Sequence, residues 1–234
     1  MRRGTLYGVG VGPGDPDLVT RGAERLIRGA RVLAYPTLAG GQSFARSIVA
    51  DLIRDDCDEI AMDVPMTRAR EPAQAAYDAG AARIARRLEQ GADVVCLCEG
   101  DPFFYGSFMY LHARLGARFE VEVMPGVTSI SAVAARLGRP LAARDERMAV
   151  LPGTLDEALL EAGIAGAETV AIVKVGRHLP KLRRVLARLG LSGRAMYVER
   201  ATLEAERRAP LDEAPETAPY FSMILISKGT DPWL

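Results

Sequence analysis

In its first half the chain alternates short apolar runs with helical patterns, and that alternation restricts the fold more than any other feature. Thr5 to Val11, Arg31 to Tyr35, Glu59 to Val64, Ala92 to Leu97 and Phe119 to Met124 read as strands, the second stopped by Pro36. Between them Leu18 to Arg28, Ser43 to Ile53, Pro72 to Gln90 and Phe108 to Leu115 read as helices, the third opened by its proline. Strands joined by helical crossovers pair in parallel, which predicts a mostly parallel sheet. The unbroken apolar run Val94 to Leu97 is its expected central, doubly covered strand.

After Pro125-Gly126 the pattern changes. A helix is expected from Val127 to Leu137, broken by Gly138-Arg139-Pro140. Met148 to Leu151, Thr169 to Val175, Ala195 to Arg200 and Phe221 to Ser227 follow as strands, with helices at Leu155 to Ala162 and Leu179 to Leu189. Ala205 to Ala218, rich in charge and proline, suits an exposed connection between antiparallel strands, so this half is expected to hold a mixed sheet. The expectation is two α/β domains, residues 1–126 and 127–234.

Charge narrows the partners. Thirty basic residues balance thirty acidic ones, so no global positive field draws the chain to nucleic acid or an anionic membrane. No apolar run approaches membrane-spanning length, and Met1-Arg2-Arg3-Gly4 leads into a strand pattern without the apolar core of a signal peptide, which reads as cytoplasmic. Cys96 and Cys98, two apart on one strand, read with Cys57 as buried thiols. His112 and His178 sit in unrelated segments without metal-ligand spacing, so no metal site is expected.

Three turns carry the functional signal. Glu99-Gly100-Asp101-Pro102-Phe103-Phe104-Tyr105-Gly106-Ser107 follows the central strand, at the carboxyl end where open α/β sheets bind ligands. Gly8-Val9-Gly10-Val11-Gly12-Pro13-Gly14-Asp15 ends the first strand and is expected on the same sheet edge. Its spacing fails the dinucleotide fingerprint, because Pro13 and Asp15 stand where a third glycine belongs, and the second strand ends in Tyr35-Pro36 without a ribose-binding acid. A nicotinamide site is disfavoured, and no G-x-x-x-x-G-K-[ST] loop is present. Pro125-Gly126-Val127-Thr128-Ser129-Ile130-Ser131-Ala132 passes from strand to helix through a hydroxyl-rich start, where Thr128 or Ser129 suits a helix cap and a ligand can share the free amides.

Gly-Val-Gly-Pro-Gly-Asp with Leu18-Val19-Thr20, Glu-Gly-Asp-Pro-Phe-Phe-Tyr-Gly, Pro-Gly-Val-Thr-Ser-Ile-Ser-Ala and Val173-Lys174-Val175-Gly176, in this order, resemble the motifs of the tetrapyrrole (corrin/porphyrin) methylases over nearly the whole chain. Within that family Thr5-Leu6-Tyr7-Gly8, Phe103-Phe104-Tyr105-Gly106-Ser107 and Met109-Tyr110-Leu111 most resemble the precorrin-2 C(20)-methyltransferases of cobalamin biosynthesis. The resemblance implies a bilobal homodimeric enzyme with S-adenosylmethionine in a cleft between its domains. It further implies methyl transfer to carbon 20 of precorrin-2, with its cobalt complex, or the substrate of another tetrapyrrole methylase such as uroporphyrinogen III, as the alternatives. Cofactor contacts carried over by motif fall on Pro13, Gly100, Asp101, Phe104, Thr128, Ser129, Ile130, Val175, Ala201 and Thr202.

Displacement at a sulfonium needs alignment rather than a protein nucleophile, and the chain lacks a G-x-S-x-G elbow or a Cys/His pair. Asp101 and Glu99 are the carboxylates nearest the expected site; Asp101 is expected to order its loop or hold cofactor, and no residue is assigned as proton acceptor. Arg68 with Arg70, Arg144 with Arg147, and Arg207 with Arg208 are the candidate pairs for substrate carboxylates, weighed against plain solvated surface. Met62 to Glu71 is a candidate loop over the cleft.

Overall fold

The computed structural model describes residues 2–37, 41–65 and 70–229, with the Arg70 side chain also left aside. By its contacts the chain divides into two compact units, Met1–Thr128 and Ser129–Leu234.

The first unit holds five parallel strands in the order β3-β2-β4-β1-β5: β1 (Leu6–Gly10), β2 (Val32–Thr37), β3 (Asp58–Asp63), β4 (Val94–Cys98) and β5 (Val121–Met124). Helices α1 (Arg21–Gly29) and α2 (Phe44–Ile48) cover one face, where Ala23, Ile27, Ala45 and Ile48 pack with Val9, Leu33, Val95 and Leu97. Helices α3 (Arg70–Glu89) and α4 (Phe108–Leu115) cover the other, where Ile84, Leu88, Phe108, Leu111 and Leu115 pack with Leu6, Ala34, Val94 and Cys96. Each fully buried side chain of this size contributes about 1.5–3 kcal/mol of transfer free energy. Cys96 and Cys98 lie together in this second core, and burial raises both thiol pKa values. They are inert packing groups.

Several boundaries differ from the sequence reading, each for a local reason. Helix α1 begins at Arg21 rather than Leu18, because the Thr20 hydroxyl caps it by accepting the Ala23 amide at 3.2 Å, while Pro16–Leu18 form a separate tight turn. Pro36 does not stop β2: the strand pairs with β4 only through Leu33 and Ala34, so beyond them only β3 is beside it and Pro36 lies opposite Met62. Pro72 falls inside the first turn of α3, where its missing amide is no loss. Of the expected loop from Met62 to Glu71, Met62 is a buried strand residue and Glu71 belongs to α3; residues 66–69 lie outside the described residues.

The second unit is a mixed sheet in the order β6-β7-β10-β8-β9, formed by β6 (Met148–Pro152), β7 (Thr169–Val173), β8 (Ala195–Glu199), β9 (Arg207–Pro210) and β10 (Ser222–Ser227). Only β6 and β7 are parallel neighbours; β10 runs antiparallel to β7 and β8, and β9 antiparallel to β8. Helices α6 (Glu157–Ala165) and α7 (Leu179–Arg188) bury Leu160, Ile164, Leu182 and Leu186 on one face. On the other, α5 (Ser129–Leu137) buries Ile130 and Val133 against Ala171, Val198 and Met223. The stretch Ala205 to Ala218 is not merely a connection, since it contains β9. Strand β9 pairs with β8 alone and reads Arg207-Arg208-Ala209-Pro210, two charged residues followed by two small ones, a pattern without an apolar period. Among the described residues no helix is long and apolar enough to cross a membrane.

Candidate cofactor site

Strands β4, β1 and β5 lie side by side and parallel, so the segments after Cys98, Gly10 and Met124 leave the same edge of the first sheet. The Val11 amide donates to the Cys98 carbonyl at 2.9 Å, and Gly12 and Gly100 exchange amide-to-carbonyl bonds of 3.3 and 2.8 Å. A β-carbon on Gly126 would lie 2.9 Å from the Gly10 α-carbon and closer still to the Gly100 carbonyl oxygen. The three turns therefore touch backbone to backbone, an approach that only glycine permits.

Asp101 fastens this junction. One carboxylate oxygen accepts the Phe103 and Phe104 amides at 2.9 and 3.1 Å, and the other accepts the Gly126 amide at 3.1 Å. The side chain thus folds its own turn and ties it to the end of β5. Gly100 has φ +62°, yet a β-carbon there would meet only the Val127 carbonyl oxygen, at 3.9 Å. Backbone conformation favours glycine here, and the space beside it is open. Half-buried Pro13 follows Gly12 (φ +79°) on this edge, and Phe103, Phe104 and Tyr105 stand 49%, 37% and 48% exposed beyond it, Tyr105 itself at φ +55°. Exposed polar backbone beside aromatic surface suits a ligand with a polar group and a flat ring. Glu99 lies next to this edge; burial raises its carboxyl pKa, and the nearby Ala45 backbone amide opposes the rise only in part.

In the second unit β7 and β8 both run antiparallel to β10, so their carboxyl ends share an edge, joined by that of β6. The Gly153 amide after β6 donates to the Val173 carbonyl at 2.7 Å. Lys174 (φ +56°), Arg200 (φ +50°) and Thr202 (φ +71°) are non-glycine residues in the left-handed region, and all three lie in the turns leaving β7 and β8. Such a cluster of costly conformations marks loops whose backbone shape is held by their surroundings.

The expected contacts fall into two sets. Gly100, Asp101 and Phe104 meet in the first unit, with Pro13 on the same edge; Val175, Ala201 and Thr202 share the loop edge of the second. Thr128 closes the first unit, and Ser129 and Ile130 open α5. The Ile130 and Val175 side chains are buried in core clusters, which leaves their backbone for any ligand. Three of the candidate arginines are engaged elsewhere. Arg147 pairs with Glu168 at 3.1 Å, Arg208 pairs with Glu206 at 3.1 Å, and the Arg207 guanidinium donates to the Glu213 carbonyl at 3.4 Å. Arg144 sits at φ +48°; Arg68 and the Arg70 side chain lie outside the described residues. Sequence reasoning missed Glu206, which holds the Thr202 amide at 2.6 Å; a single glutamate in a charge-rich stretch carries no motif. Among the described residues no cluster of His, Cys, Asp or Glu could hold a metal ion.

Fold and site together define an α/β protein of two sheets, with backbone-lined turns at strand carboxyl ends. The sequence profile of the Tetrapyrrole (Corrin/Porphyrin) Methylases matches residues 5–215, and the chain belongs to this family. It is 43% identical to a precorrin-2 C(20)-methyltransferase of Sinorhizobium sp, covering 97% of both chains. It is 32% identical to the cobalt-precorrin-2 C(20)-methyltransferase of Salmonella typhimurium strain LT2, covering 96% of this chain and 97% of that one. A uroporphyrin-III C-methyl transferase from Thermus thermophilus, solved in complex with S-adenyl homocysteine, superposes with a TM-score of 0.68 at 27% identity, covering 96% of this chain and 98% of that one.

Proposed function

We propose that this chain transfers the methyl group of S-adenosylmethionine to carbon 20 of precorrin-2, giving precorrin-3A in cobalamin biosynthesis. The carrying observation is the 43% identity over 97% of both chains to the Sinorhizobium enzyme, against 32% to the cobalt-precorrin-2 enzyme. Cofactor contacts are assigned to Pro13, Gly100, Asp101, Phe104 and Thr128 in the first unit and to Ser129, Ile130, Val175, Ala201 and Thr202 in the second. The open space beside Gly100 fits such a ligand, since backbone can approach it without a side chain in the way. A homodimer in the cytoplasm is the expected working form, on the strength of the family resemblance.

S-adenosylmethionine supplies an electrophilic methyl on a sulfonium. The protein's share is to hold carbon, methyl and sulfur in line and keep water out, positioning that is worth about 7–11 kcal/mol of barrier. Asp101 contributes by fixing the turn rather than by moving protons, because both its oxygens already accept backbone amides. Glu99 lies beside that turn with an enhanced proton affinity. The test is single-turnover methylation with carbon-13-labelled S-adenosylmethionine, offered precorrin-2 and cobalt-precorrin-2 in parallel. A label at carbon 20 and faster turnover of the metal-free substrate are expected. Preference for the cobalt complex would reassign the substrate, and a label elsewhere would refute the proposal.

A further inference from the structure

Thr202 is β-branched and sits at φ +71°, where such residues are genuine outliers, with Arg200 two residues earlier at φ +50°. Residues 200–206 connect β8 to β9, whose pairing closes at Glu199 opposite Arg207. At the foot of this loop the Glu206 side chain is only 6% exposed. One of its oxygens accepts the Thr202 amide at 2.6 Å. The Arg136 guanidinium, from the last turn of α5, donates to both oxygens at 2.9 and 3.0 Å, and Arg208 on β9 pairs with the carboxylate at 3.1 Å. Arg208 also donates to the Arg136 carbonyl, locking the two arginines together. Backbone bonds from Arg200 to the Phe221 carbonyl (2.8 Å), from Leu203 to the Arg200 carbonyl (3.0 Å) and from Glu206 to the Leu203 carbonyl (2.9 Å) complete the loop.

A buried carboxylate is costly unless paired, and two guanidinium groups make this one tolerable. They also orient it, so its remaining capacity is aimed at one backbone amide. We infer that Glu206 is a positioning residue for the adenosyl cofactor: clamped by Arg136 and Arg208, it holds the Thr202 amide and so keeps Ala201 and Thr202 in cofactor-binding shape. This rests on the assignment of Ala201 and Thr202 to the cofactor under the proposed function. Glu206 itself touches no reacting atom.

Titration calorimetry with S-adenosylhomocysteine on the full chain tests this, together with Thr202 amide hydrogen exchange by nuclear magnetic resonance. Glu206→Ala is expected to weaken binding about tenfold, the loss typical of a charge-assisted hydrogen bond, and to speed Thr202 exchange. KM for S-adenosylmethionine should rise while KM for precorrin-2 stays put. Glu206→Gln keeps a carbonyl acceptor and should stay within about threefold of wild type. Should the alanine variant fail to fold, Glu206→Asp retains the charge for both arginines but withdraws it from Thr202, and should show the same selective loss. Asp156→Ala, which removes the cap donated to by the Leu159 amide at 2.9 Å at the start of α6, controls for lost stability and should leave binding unchanged. Wild-type affinity in the alanine or aspartate variant would overturn the inference, as would equal losses in the Asp156 control. No binding by wild type would instead overturn the proposed function, and this inference with it.

Discussion

The loop edge of the parallel sheet is shaped by leaving side chains out, whereas that of the mixed sheet is shaped by holding side chains down. In the first unit Gly10 and Gly126 let three turns meet backbone to backbone, with one carboxylate, Asp101, fastening them. In the second, Lys174, Arg200 and Thr202 occupy the left-handed region although none is glycine, and the Thr202 amide is gripped by a carboxylate that two arginines anchor. Glycine gives access at the cost of unfolded-state entropy; a clamped side chain gives a fixed shape at the cost of local strain. The first arrangement leaves backbone open to a ligand, and the second makes a loop rigid.

The largest way to break this contrast is Gly126→Ala. Its new methyl has only the Gly100 carbonyl and the Gly10 α-carbon to move, both backbone, so destabilisation of about 3 kcal/mol or more is expected in urea unfolding. A near-neutral result would show that the three-turn contact is loose. Asp101→Ala comes next, since it strips an acceptor from three amides; binding of S-adenosylhomocysteine should fall about tenfold or more while a cooperative melt remains. Unchanged affinity would remove Asp101 from the cofactor's support. Gly100→Ala separates conformation from crowding: with φ +62° but open space, it should cost about 1 kcal/mol, well below the Gly126 change.

Two smaller effects sharpen the comparison. Burial raises the Glu99 pKa, so the folded state holds its proton more tightly than the unfolded chain. That contribution to stability is full below the ordinary carboxylate range and is lost as pH rises through the raised value. Glu99→Gln should therefore flatten the stability profile in that window relative to wild type; parallel profiles would count against a buried, proton-retaining carboxyl. Thr202→Gly relieves the left-handed strain but loosens the unfolded chain, so stability should stay within about 1 kcal/mol of wild type, with binding preserved as long as Glu206 remains.

The same contrast explains what could be read from the chain. Glycine turns after strands are local in sequence, so Gly12, Gly100 and Gly126 pointed to one sheet edge, and the pairing of β1 with β4 and β5 puts them there. The alternation of strand and helix likewise gave the parallel sheet, and the helix-free stretch from Ala205 to Ala218 gave the mixed one. Strand β9 escaped because an edge strand of charged and small residues has no apolar period. Glu206 escaped because its partners, Arg136 and Thr202, come from different elements and meet only after folding. Asp101 was legible as a turn residue, but its bond to Gly126, far along the chain, was not.

A structure of the protein with S-adenosylhomocysteine bound tests the central claim most directly. The account predicts the ligand against the backbone of Gly100, Asp101 and Phe104. A ligand seated instead at the opposite edge of the first sheet, in the cavity of about 420 Å³ lined by Tyr7, Arg25, Arg31 and Asp93, would contradict it.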